Sequence, residues 1–122
     1  MITRDDVRGF ALSANEVRGV NAYLPKNAGS GLVYNRQARR RALDKQEAMA
    51  AAAASLPSNT QVYTIITADD ADQPPERYWQ IEDEKTGEWW LVQIVRVTAA
   101  NALFHCIVTP RQDGKAQTGT AT

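Results

Sequence analysis

Residues 35–55, NRQARRRALDKQEAMAAAAAS, decide how this chain is read. Ala, Arg, Gln, Leu, Lys, Glu and Met fill the stretch, and all are strong helix formers. The composition predicts one long helix over about 35–55, with Asn35 as N-cap and Asp44 as its one weak member. Leu56-Pro57-Ser58-Asn59 ends it, because proline disfavours helical backbone in the residue before it. Ala48 and Ala50 to Ala54 make the second half slim, so it is expected to pack closely on a neighbouring helix or sheet. Arg36, Arg40 and Lys45 fall roughly along one helix face. That face is expected to meet an acidic surface of a neighbouring subunit.

Outward from this stretch the two halves differ. Upstream, Thr3 with Asp5 and Asp6, and Ser13 with Glu16, carry N-cap and capping-box patterns. They predict two short helical pieces before Gly19. Residues 19–31 are rich in turn formers and predict a loop, with a short extended piece at Val20–Leu24. Downstream, Gln61–Thr67 is dense in β-branched and aromatic residues. Arg77–Ile81, Trp89–Thr98 and Ala102–Thr109 read as further strands. Asp83-Glu84-Lys85-Thr86-Gly87 reads as a hairpin turn. Alternation puts Trp90, Val92 and Ile94 on one face, and Trp89, Leu91, Val95 and Val97 on the other with Gln93 among them. A strand that is apolar on both faces is central or covered twice. The expected fold is α+β: N-terminal helices, then four or more antiparallel strands curled into a small barrel. The expected organisation is one domain over 1–110 and a flexible tail over 111–122, which lacks apolar anchors.

The 122 residues suit a single core, and apolar and charged contents of 43% and 23% are ordinary. Nothing approaches the roughly 18 consecutive apolar residues of a membrane span. Met1 to Asp6 lacks the apolar core of a secretory signal. An intracellular site of synthesis and no membrane partner are the expectations. The net charge is zero, yet residues 1–56 carry +4 and residues 57–122 carry −4. Such polarity suits neighbour-to-neighbour contacts.

Candidate chemistry is sparse. His105 is the only histidine, and it lies mid-strand among apolar neighbours. Nothing in the sequence places a nucleophile or an orienting acid beside it. Cys106 reads as a small buried hydrophobe rather than a nucleophile. Asp69, Asp70 and Asp72 could suggest a calcium loop, but the sixth position from Asp70 is Pro75 and the twelfth is Ile81, where glycine and glutamate are needed. No metal, cofactor or catalytic residue is expected. The loop Ala68–Pro75 is instead expected to project, because its aspartates have no nearby cation in sequence and burial would be costly. Pro74 and Pro75 argue against its pairing as a strand. Of Trp79, Trp89 and Trp90, the adjacent pair points to opposite faces. One is expected in the core and the other in a subunit contact.

Ile81, Asp83, Gly87, Trp90, Val92 and Val95, followed by Phe104 and Cys106, form a strand, an acidic turn with glycine, a tryptophan and a valine-rich strand, then an aromatic-x-Cys step. This resembles the C-terminal β-region of tailed-bacteriophage head–tail joining proteins of the head-closure or stopper type, over about a third of the chain. The resemblance implies a neck protein of the virion, made in the bacterial host cytoplasm, with no enzymatic activity. It implies a homo-oligomeric ring that joins portal or adaptor to tail and lines the DNA channel without reading sequence. In such a ring Arg36, Arg40, Lys45, Trp89 and Trp90 would serve subunit contacts, and Asp69, Asp70 and Asp72 would face the channel. The alternative reading is a small nucleic-acid-binding module that uses the arginine-rich helix. A further one is an accessory domain without chemistry of its own.

Overall fold

The computed structural model describes residues 17–25, 31–69, 71–98 and 101–111. Strands β1 (Val17–Tyr23) and β2 (Leu32–Arg41) are followed by helix α1 (Lys45–Ala53). Strands β3 (Gln61–Ile66), β4 (Gln80–Asp83), β5 (Trp89–Thr98) and β6 (Leu103–Pro110) complete the order. The strands close into an antiparallel barrel in the order β1-β2-β3-β6-β5-β4. The seam is the pairing of β1 with β4, from Val20 opposite Asp83 to Tyr23 opposite Gln80.

The barrel itself is present, but the α+β expectation is overturned: among the described residues the fold is mostly β, with one short helix. The first ten residues from Leu32 form a strand that pairs with β1 on one side and β3 on the other. Helix propensity loses here because alternation places Tyr34, Arg36, Ala38 and Arg40 on the barrel's inner side, where aromatic rings and carboxylates receive them. The helix begins only after Asp44. This residue is the N-cap of α1: its carboxylate accepts from the Glu47 N–H at 2.8 Å, while the Glu47 side chain accepts from the Asp44 N–H at 2.9 Å. The region read as a loop around residues 19–31 begins as β1. The helical pieces expected before Gly19 and the tail beyond Arg111 lie outside the described residues.

Val20, Ala22, Tyr34, Ala38, Tyr63, Ile65, Trp79, Ile81, Trp90, Val92, Phe104, Cys106 and Val108 fill the barrel. Burial pushes the Cys106 thiol up to about 12, so it is a neutral apolar filler. Strand β5 holds a correction to the expected faces. Val92 pairs with Val108, but Ile94 pairs with Ile107, so β5 advances two residues while β6 advances one. This bulge changes the facing of the strand. Trp90 and Val92 point inward, Val95 packs against the core beyond the bulge, and Ile94 is displaced to the outer wall. Gln93, the extra residue, donates to Thr109 Oγ1 at 3.1 Å.

Within α1, Ala51 is buried and Ala52 is exposed. Ala51→Leu is therefore expected to lose about 1–3 kcal/mol through overpacking. Ala52→Leu is expected to stay within about 0.5 kcal/mol of the wild type. Thermal melts of the two variants check this, and equal effects would contradict the placement of α1.

Candidate functional site

One end of the barrel is closed by charged and aromatic side chains. Asp83 is fully buried. It accepts from Tyr63 Oη at 2.6 Å and from Arg18 Nη1 at 3.0 Å through one oxygen. Its other oxygen accepts from the Lys85 N–H at 2.8 Å, within a turn completed by Gly87 at φ +76°. Burial alone would raise this carboxyl, but the bonds from Tyr63 and Arg18 outweigh it and hold the group below its ordinary value. Burial first and Asp83 second push the Tyr63 phenol well up, so it stays protonated and donates. Arg40 lies over the Trp90 ring at 4.9 Å and pairs with Glu88 at 2.7 Å.

The other end is covered by the loop between β3 and β4. Arg36 stacks on Tyr34 at 4.9 Å. Its Nε and Nη2 donate to the two oxygens of Asp72 at 2.8 and 2.6 Å, a bidentate pair. Asp72 also accepts from the Ala68 N–H at 2.9 Å, and Tyr34 Oη donates to the Gln73 carbonyl at 2.7 Å. The expectation that this loop projects is corrected. Asp72 and Pro75 are buried, because the cation absent from the local sequence arrives from β2. Asp69 remains exposed and accepts from the Ala71 N–H. Asp70 lies outside the described residues.

The remaining residues singled out in the sequence are dispersed. Lys45 is exposed at the start of α1, not on a face with Arg36 and Arg40. Trp90 is in the core beside Tyr63. Trp89 is half-buried on the outer side, 5.2 Å from the Tyr23 ring and 4.7 Å from the Arg111 guanidinium.

The outer wall carries a cleft of about 340 Å³ between α1 and the barrel. Gln46, Glu47 and Ala50 line it from α1, Ile94 and Arg96 from β5, and His105 and Ile107 from β6. Glu47 anchors the helix: Arg41 donates to both of its oxygens, one at 2.8 Å, and Arg96 lies 3.5 Å away. The Arg41 bonds, against burial, hold the Glu47 carboxyl at about 2. His105 Nδ1 lies 2.9 Å from Thr64 Oγ1. Burial, then Arg96 and Arg41, keep this imidazole below its usual range, so it is neutral at pH 7. Among the described residues no cluster of three His, Cys, Asp or Glu could hold a metal ion.

Sequence reasoning missed Arg18, Tyr63, Asp83 and Glu88 as partners in the barrel closure. For Arg18, Tyr63 and Asp83 the only local signal is a polar group at an inward strand position, and Glu88 lies exposed in the turn between β4 and β5. Comparison with protein-family models, with curated proteins and with solved structures finds no match to this chain.

Proposed function

We propose that this chain is a structural protein of the phage head–tail junction, without catalysis of its own. Copies would stand side by side in a ring that joins portal or adaptor to tail and surrounds passing DNA. The observation that carries this reading is where the chain's charges sit. Arg18, Arg36, Arg40 and Arg41 are matched by Asp83, Asp72, Glu88 and Glu47 within the chain. The barrel interior is filled, so the outer wall is the working surface. The resemblance across Ile81–Cys106 falls on β4, β5 and β6, three strands paired in succession around the barrel.

The same pairing weighs against a nucleic-acid module. Arg36, Arg40 and Arg41 are engaged by carboxylates rather than presented for phosphates. Electron microscopy of the purified chain, alone and with portal rings from the same genome, tests the reading. Rings seated on the portal are expected. A strict monomer in both samples, with strong salt-dependent DNA affinity, would overturn it.

Lys45 offers a cleaner check of a subunit contact than Arg40, whose reversal would also break the pair with Glu88. Lys45→Glu adds an acid to the first turn of α1, which the helix dipole favours by about 0.3–1 kcal/mol. The expected result is weaker assembly at low salt with an unchanged or raised Tm, and a smaller loss at high salt. Unchanged assembly in light scattering at both salts would remove Lys45 from the interface.

A further inference from the structure

Strands β5 and β6 lay out the floor of the outer cleft in two halves. Beyond the bulge at Gln93, Ile94 stands opposite Ile107 and Arg96 opposite His105. Residues directly opposite in an antiparallel pair share a face, as do residues two apart along a strand. One half of the floor is therefore aliphatic and the other polar. Thr64 of β3 stands opposite His105 in turn and extends the polar half. Helix α1 forms the wall above this floor with Gln46, Glu47 and Ala50.

The carboxylate on the cleft lining, Glu47, is already engaged. Arg41 donates to both of its oxygens, and the Asp44 N–H donates to one of them. Arg96 reaches it only at 3.5 Å, and the Arg96 side chain is 54% exposed. The His105 ring meets Thr64 through Nδ1, and its Nε2 has no hydrogen-bond partner among the described residues. At this ring the influence of Arg96 and Arg41 exceeds that of Glu47 and Asp44, so the polar half is electropositive.

We infer that this cleft binds a short aliphatic monocarboxylate, with its carboxylate on Arg96 beside His105 and its chain across Ile94, Ile107 and Ala50. The site belongs to a single chain and does not depend on the ring reading. A concave, mostly apolar surface with a few convergent polar groups is the usual form of a small-molecule site, and about 340 Å³ is at the small end of the range of about 300–1,000 Å³. A carboxylate on a guanidinium gains charge-assisted hydrogen bonds. One accessible guanidinium matches a single negative charge better than a phosphate dianion. Two residues along a strand span about 6.6 Å, the reach of a chain of about five or six carbons.

His105 is the only histidine, so its imidazole proton signals report on the cleft without assignment of the whole spectrum. Hexanoate is titrated into the full chain at pH 7, with acetate and hexylamine as controls. Saturable shifts of the His105 signals are expected, with hexanoate binding about tenfold more tightly than either control. Arg96→Gln should weaken hexanoate about tenfold while Tm stays within about 4 °C, as for an exposed side chain. Ala50→Phe, which fills the cleft from an exposed helix position, should abolish the shifts. Hexylamine binding as tightly as hexanoate would overturn the inference, as would hexanoate affinity unchanged in both variants. No shift with hexanoate, while Arg96→Gln disperses assembled rings, would give the cleft to a subunit contact and overturn it too.

Discussion

Asp83→Ala is expected to remove about 3–5 kcal/mol of folding stability, because deleting one partner of a buried ion pair leaves the other charge uncompensated. The loss includes more than the Arg18 pair. Tyr63 Oη and the Lys85 and Thr86 N–H groups also donate to this carboxylate, and the substitution deprives all four donors at once. A chain of this size has about 5–15 kcal/mol in total. The variant should therefore melt on the order of 10–20 °C lower. Tyr63→Phe is the graded control. It takes away one donor while Arg18 and the backbone remain, and should cost about 1–3 kcal/mol. Urea denaturation of both variants separates the cases. If Asp83→Ala lies within about 1 kcal/mol of the wild type, the network is not what closes this end of the barrel.

Acid should loosen the helix from the barrel through Glu47. Its carboxyl titrates at about 2 in the folded chain against an ordinary 4.5. The folded value is depressed, so the stabilisation is complete above about pH 5 and is lost as pH falls from there toward 2. The full shift would correspond to about 3 kcal/mol at neutral pH, and because the Arg41 and Arg96 side chains are 31% and 54% exposed, solvent screening leaves about 1–2 kcal/mol of it. Asp72 and Asp83 are also held below their ordinary value and add acid sensitivity in the same direction. The contribution of Glu47 is isolated by comparing the wild type with Glu47→Gln in urea at pH 6 and at pH 3. The wild type should lose more stability between the two than the variant does. Equal losses would mean that Arg41 and Arg96 do not hold this carboxylate in solution.

Strands β3 and β5 are legible in the sequence because β-branched and aromatic residues dominate them, and β5 spans Trp89–Thr98 as read. Strand β2 is not legible. Its Arg, Gln and Ala favour helix locally, and what overrides them lies far along the chain. Arg36 meets Asp72 across 36 positions and Arg40 meets Glu88 across 48. A one-dimensional reading selects these arginines as notable but cannot supply their carboxylates, and so assigns them to partners outside the chain. The same blindness makes the Ala68–Pro75 loop look too acidic to bury. The bulge at Gln93 is hidden for a different reason. It is a mismatch of register between two strands, and neither strand shows it alone. One signal for the true helix start is present: Asp44 with Glu47 three residues on is a capping box, masked by good helix formers on its N-terminal side.

The closed barrel order has a consequence for how this chain can be joined to anything else. An open sheet ends in unpaired N–H and C=O groups that template another strand, whether from a partner or a growing fibril. Here the four-residue match of β1 with β4 closes the described sheet, so no strand runs open along its whole length. Pairing stops short on β5, whose residues beyond Val92 have no β4 partner, so backbone pairing with another chain is confined to such stretches and partners elsewhere must grip side chains. Copies held by side chains can be added or released without any strand changing its neighbours, and among the described residues a crowded arc of them offers only part-strand edges from which an amyloid-like stack could begin.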